Sequence, residues 1–202
     1  MKLYYSPGAC SLAPHIVLCE AGLQFETEQV DLGQKKTASG GDYAKINPKG
    51  YVPALILDDG SLLTEAGVVV QYIADQKPEA GLAPKPGTMA RYHYMEWINF
   101  IATEIHKGFG PLWNAQALAQ TKDAAKIQLG KRFAIVETAL TDRAYLTGDV
   151  FSAADAYLFT VTNWSHMHHI DLGPWPKLSA FMSRVVQRPK VQEAMKAEGL
   201  VQ

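Results

Sequence analysis

Only two of the 202 residues are cysteine, Cys10 and Cys19. Two thiols cannot build a disulfide framework, and nine residues apart they have neither the CxxC spacing of a dithiol nor the partners of a zinc site. On one helical segment they would lie about 13 Å apart along the axis at 1.5 Å per residue, beyond the reach of a bridge. Each is therefore read alone. Long apolar runs are also missing. Stretches such as residues 67–70 and 157–159 fall far short of the roughly 18 residues a spanning helix needs, so no membrane partner is expected. Charge of one sign is missing too: the formal net charge is −1 with no run of Lys or Arg, which leaves no electrostatic footprint for nucleic acid. Pro7 interrupts the N-terminal segment before the apolar stretch of a secretory signal forms, which points to the cytoplasm.

What is present is the composition of a folded globular chain, 48% hydrophobic and 19% charged, of a size for one large or two small domains. Residues 2–5 read as a short strand, and Ser6-Pro7-Gly8-Ala9 as the turn leaving it. From Ser11 to Ala21, Leu12, Ile16 and Cys19 recur at helical spacing, Pro14 fits the first turn and Gly22 supplies the stop. Residues 25–32 favour a strand, giving a parallel βαβ unit. The polar segment 34–43 reads as a loop carrying Lys35 and Lys36. Residues 54–57 and 61–63 form a hairpin around Asp58-Asp59-Gly60, and a helix opens at Thr64-Glu65-Ala66 and runs to about Gln76. Prolines and glycines then interrupt all periodicity. Beyond them, residues 91–107, 122–140, 153–164 and 175–186 carry helical spacing and no strand is expected. The fold class is α/β plus all-α, an N-terminal thioredoxin-like domain over 1–77, a linker over 78–87 and a helical C-terminal domain over 88–202.

Cys10 stands between the first strand's turn and the first helix, where free backbone N–H groups and the helix dipole favour a thiolate. A thiol so placed is expected to ionise easily and act as a nucleophile or exchange group. Cys19, on the apolar face with Leu12 and Ile16, reads as inert core. Val52-Pro53 precedes a strand, where a cis proline exposes the preceding backbone to a peptide ligand; an ordinary trans proline is the alternative. Glu65 and the Ala66 amide sit at a helix start that can grip both ends of an amino acid, or serve only as first-turn filler. Lys35 offers a cation, or is merely a solvated surface lysine. Asn99, Thr103, His106 and Lys107 share one helix face; His106 is the member able to move a proton near neutrality. His166, His168 and His169 lack a carboxylate or cysteine in step, so no metal is expected there. Ser152-Ala153-Ala154-Asp155, preceded by Phe151, has the form of a capping box, which makes Asp155 structural.

Taken together, Ser6-Pro7-Gly8-Ala9-Cys10-Ser11, Asn47-Pro48-Lys49-Gly50, Val52-Pro53, Thr64-Glu65, Glu104-Ile105-His106-Lys107-Gly108 and Ser152 through Phe159 resemble bacterial beta-class glutathione S-transferases, in one order along essentially the whole chain. The resemblance implies glutathione as cosubstrate, no metal, and a homodimer with each site near the subunit boundary. It places Cys10 beside the glutathione sulfur and Lys35 on the glycine carboxylate. Val52 and Pro53 fall at the cysteinyl backbone, and Glu65 and Ala66 at the γ-glutamyl end. Asn99, Thr103, Glu104 and His106 approach the ligand, some from the partner subunit. Ala66 stands where the wider superfamily often has Ser, so only its N–H can serve. Tyr5 and Ser11 are second-ranked activators. Phe109, Leu112 and Trp113 are candidate walls of an acceptor pocket, or core.

The leading expectation is conjugation of glutathione to small hydrophobic electrophiles, with Cys10 and His106 as the catalytic pair. A glutathione-dependent thiol-disulfide oxidoreductase or reductive dehalogenase, with Cys10 as the attacking group, is the second reading. The third is a non-catalytic binder of hydrophobic ligands on the same fold.

Overall fold

The computed structural model describes all 202 residues. Its first part is a five-stranded mixed sheet in the order β3-β2-β1-β4-β5, built from β1 (Lys2–Tyr5), β2 (Glu26–Asp31), β3 (Lys36–Thr37), β4 (Ala54–Ile56) and β5 (Leu62–Thr64). β1 runs parallel to β2 and antiparallel to β4, with Leu3 opposite both Thr27 and Leu55. The expected βαβ unit is therefore present, closed by α1 (Leu12–Ala21). α1 ends at Gly22, whose φ of 64° is the left-handed stop that glycine adopts without strain. Residues 34–43, expected as loop alone, contribute β3 and lead into the one-turn helix α2 (Tyr43–Ile46). Both are too short to leave a periodic signature.

α3 (Ala66–Gln76) closes this part, and an extended stretch broken by one turn at Pro78–Ala80 leads to helices only. α4 (Met89–Phe100) does not end at Phe100. Its backbone widens to i→i+5 hydrogen bonding over Ile101–His106, where the Lys107 N–H reaches the Ala102 carbonyl, then tightens over Lys107–Phe109. A short α5 (Gly110–Trp113) and the long α6 (Ala119–Ala139), α7 (Ala153–Met167), α8 (Pro176–Val186) and α9 (Pro189–Ala197) complete the chain. α9 was not anticipated from the sequence. It starts after a two-residue break from α8, with Pro189 in its first turn.

The two parts share one core. A single cluster of 45 buried residues runs from Leu3, Ile16 and Ile73 in the first part to Tyr94, Phe133 and Phe181 in the second. α1 is its hinge: Leu12 through Cys19 are all buried, because α1 packs on α3 from one side and on α7 and α9 from another. Cys19 is inert core as expected. A smaller cluster of Tyr4, Val30, Tyr43, Val52 and Ala54 covers the opposite sheet face. There the Tyr43 hydroxyl and the Asn47 amide both donate to the Tyr51 carbonyl, at 2.8 and 2.7 Å, which fixes the loop that carries Val52.

The turn before Cys10 is gripped from the helical part. The Gly8 N–H donates to Glu198 at 2.9 Å, and its carbonyl accepts from the Trp164 indole N–H at 2.8 Å. The other Glu198 oxygen lies 2.9 Å from His15 Nδ1, with both side chains buried. Asp155 is wholly buried and does what the capping motif predicts. It accepts from the Ser152 N–H and hydroxyl at 2.8 and 2.6 Å, and from the Leu146 N–H at 2.8 Å.

Candidate active site

A cleft of about 620 Å³ opens between the two parts. Its lining brings together Cys10, Val52, Pro53, Glu65, Ala66, Asn99, Thr103 and His106, residues from four separate stretches of sequence. A groove of about 670 Å³ between the linker and residues 143–152 is larger but holds no thiol, so chemistry rather than size picks the site. Gly67, at the base of α3, lets α4 approach closely: a Cβ there would meet Ile98 at 2.9 Å.

The Val52-Pro53 bond is cis, as the layout suggests. The Val52 N–H has no partner within the chain, and its carbonyl accepts only the Cys10 thiol, at 3.1 Å. One unpaired amide beside the cleft is an invitation to a peptide backbone. Glu65 precedes the first residue of α3 with φ of 71°, a region a non-glycine residue enters only when its surroundings hold it there.

The thiol itself departs from the sequence-based expectation. Burial pushes the Cys10 thiol up to about 12, with the Glu65 charge adding to the rise. The backbone N–H groups of Cys10 and Ser11 and the Lys107 ammonium pull the other way. The helix-start effect is thus present but smaller than the desolvation cost of a thiolate at the floor of the cleft, where Cys10 is partly buried. Cys10 is a protonated donor, not a ready thiolate.

His106 is likewise neutral. Burial, then the Lys107 charge, hold its imidazole down to about 4, against a weaker opposing pull from Glu65. Its Nδ1 lies 2.7 Å from the Tyr157 hydroxyl, and its ring packs edge-on against Trp164 with centroids 5.0 Å apart. Burial raises the Tyr157 hydroxyl as well, so it stays protonated and can donate to the imidazole. With Tyr157 donating to Nδ1, the imidazole carries its own proton on Nε2.

Several expected site residues lie elsewhere. Lys35 does not line the cleft; its Nζ donates to the Gly50 carbonyl at 2.8 Å and lies 5.8 Å from the Tyr51 ring at the rim. Glu104 is turned to Arg132 on α6, with 2.5 Å between Oε2 and Nε. Ser11 is buried in the Ser6–Cys10 turn, where its hydroxyl accepts from the Ser6 N–H at 3.1 Å, and Tyr5 is buried with its ring against His15. Neither reaches the cleft. Phe109 and Leu112 are buried in the helical core, and half-exposed Trp113 packs edge-on against His168 and Trp164, so these three do not form the cleft's apolar wall. That wall comes from Val68, Met95, Ile98 and Ala102, which the sequence presents as ordinary helix residues. Lys49 and Tyr157 were also missed. Lys49 sits two residues before Tyr51 in the turn leading to the cis proline, a signal that proximity could have supplied. Tyr157 gave none, since it reads as bundle core. His166 and His169 are exposed, and no three His, Cys, Asp or Glu side chains come together.

A family model for the glutathione S-transferase N-terminal domain matches residues 1–75, and one for the C-terminal domain matches residues 100–189. The chain belongs to the glutathione S-transferase family. It is 47% identical over 200 residues to glutathione S-transferase GstA of Escherichia coli O157:H7, covering 99% of this chain and 100% of that one. The solved structure of a beta-class glutathione S-transferase from Sphingomonas chungbukensis superposes with a TM-score of 0.96 at 45% identity, with full coverage of both chains. A sphingomonad glutathione S-transferase complexed with glutathione does so at 0.96 and 44%, again over both chains entirely. The resemblance read from the motifs is borne out, and with it the fold class and the enzyme class. In both solved relatives the likeness spans thioredoxin-like and helical parts alike.

Proposed function

We propose that the cleft binds glutathione and that the chain conjugates its sulfur to small hydrophobic electrophiles. The observation that carries this reading is the unpaired Val52 N–H beside the Cys10 thiol and the Glu65 carboxylate, a row of groups that complements a γ-glutamyl peptide with a central thiol. The complex of glutathione with the sphingomonad relative supports it. Glutathione's peptide takes the Val52 N–H and carbonyl, its ammonium meets Glu65, its α-carboxylate accepts from the Ala66 N–H, and its glycine carboxylate turns toward Lys35 at the rim. Occupying the Val52 carbonyl releases the Cys10 S–H, which then donates to the glutathione sulfur. The Nε2–H of His106 and the Lys107 charge add to that support, so the bound sulfur ionises where Cys10 itself does not. Attack on the electrophile forms the carbon–sulfur bond and expels the leaving group, with the cleft supplying orientation.

The exposed residues Tyr92, Met95, Asn99 and Thr103 recur along one helix face, and Val68 and Tyr51 are exposed beside them on the cleft. A second copy covering that face is the homodimer we infer, with the cleft at its boundary.

A second reading is favoured by the presence of a thiol at the sulfur position: thiol exchange or reductive dehalogenation through Cys10. Replacing Cys10 with Ala and assaying both conjugation of a chlorinated aromatic and reduction of a glutathione mixed disulfide separates them. Conjugation reduced but retained, with reduction abolished only where the wild type shows it, supports conjugation as the main activity. Reduction by the wild type with no conjugation sinks it.

A further inference from the structure

We propose that Lys49 makes the Glu65 end of the cleft selective for a zwitterionic amino acid group, surrendering Glu65 to the ligand's ammonium and taking the ligand's carboxylate in exchange. The inference rests on the glutathione reading above and adds a residue to it. Lys49 Nζ lies 2.6 Å from Glu65 Oε1 and 3.0 Å from Thr64 Oγ1, so a cation of the chain itself sits where the ligand's ammonium must go. The pair is open to solvent, Lys49 55% and Glu65 65% exposed, so it parts at small cost. Lys35 is not available for this role, because its ammonium is held at the Gly50 carbonyl and does not line the cleft.

The charge balance gives the selectivity. Among residues lining the cleft, the ionised groups are Lys49, Glu65 and Lys107. A ligand with an ammonium alone would take Glu65 and strand Lys49 without a counter-charge. A ligand with a carboxylate alone would compete with Glu65 for Lys49. An α-amino acid end carries both groups on one carbon and replaces one internal pair with two intermolecular pairs. The four-carbon stem of Lys49 lets its head swing by the few ångströms this requires.

Calorimetry with two probes tests the exchange: glutathione, and the analogue in which 4-aminobutanoate replaces the γ-glutamyl group and so lacks only the α-carboxylate. Lys49→Met keeps the stem and drops the charge. Glutathione is expected to bind this variant about three- to tenfold more weakly than the wild type, as for one partly exposed charge pair. Loss of the carboxylate should cost the wild type more than the variant by a similar factor, the bond to the Ala66 N–H being lost in both, and Lys49→Arg should restore most of the difference. Equal losses for both probes, no loss for either, or tighter glutathione binding by Lys49→Met would overturn the proposal. If the wild type binds neither probe, the glutathione reading itself has failed.

Discussion

Alkylation of Cys10 in the ligand-free protein provides a direct measure of what burial does to the helix-start thiol. The rise from 9.0 to about 12 leaves roughly a thousandfold less thiolate at neutral pH than an unperturbed thiol has, equivalent to about 4 kcal/mol at 1.36 kcal/mol per unit. Because the thiolate is the reactive form, iodoacetamide should modify Cys10 at least about a hundredfold more slowly than a short peptide thiol at pH 7.5. The rate should climb tenfold per pH unit and show no plateau up to about pH 10. Peptide mapping by mass spectrometry separates Cys10 from Cys19, which burial also raises to about 12 and which serves as an internal reference. Near-saturating glutathione should abolish labelling by covering the thiol. A plateau with a midpoint below pH 8 in the free protein would refute the reasoning, and would mean that the N–H groups of Cys10 and Ser11 outweigh desolvation.

Asp155→Ala leaves the Leu146 N–H, the Ser152 N–H and the Ser152 hydroxyl buried without their acceptor. At about 1–3 kcal/mol for an orphaned buried group, partly relieved by water entry, urea unfolding should show a loss of about 3–5 kcal/mol; under about 1 kcal/mol would contradict the structural role. His106 predicts an acid-side loss of stability. Its folded value of about 4 lies below the ordinary 6.5, so between those pH values the unfolded chain binds a proton that the folded chain refuses. Stability is therefore full above 6.5 and declines as pH falls toward 4, by up to about 3 kcal/mol at 1.36 kcal/mol per unit. The decline should be visibly smaller in His106→Gln, and equal slopes for the two proteins would refute the assignment.

The elements that repeat a pattern were legible in the sequence. β1, α1, the β4–β5 hairpin, α3 and the larger helices of the second half fell close to their expected places, because alternation and helical spacing record which face each element buries. β3, α2 and α5 are two to four residues long, so none has a period of its own. α9 does carry one, with Val191, Ala194 and Met195 at helical spacing behind Pro189, and that signal was passed over. Among site residues, Cys10, Val52, Glu65 and His106 were found because each stands at a marked place: a helix start, a proline, a polar helix face. The apolar wall was not. Val68, Met95 and Ile98 differ from core residues only in what they face, and Phe109 and Leu112, which were expected there, face inward.

What the sequence determined alone is the order and type of elements, the family, and the presence of a thiol at a helix start. Only the tertiary structure decided what that thiol is. The N–H groups favouring a thiolate are local and travel with the chain. The burial opposing them exists only in the assembled fold, where the thiol meets the Val52 carbonyl on the loop held by Tyr43 and Asn47, and where Trp164 and Glu198 of the helical part grip the turn before Cys10. Those groups lie tens to nearly two hundred residues away along the chain. Proximity in space sets the balance between dipole and desolvation, and here it makes Cys10 a proton donor awaiting a ligand's sulfur.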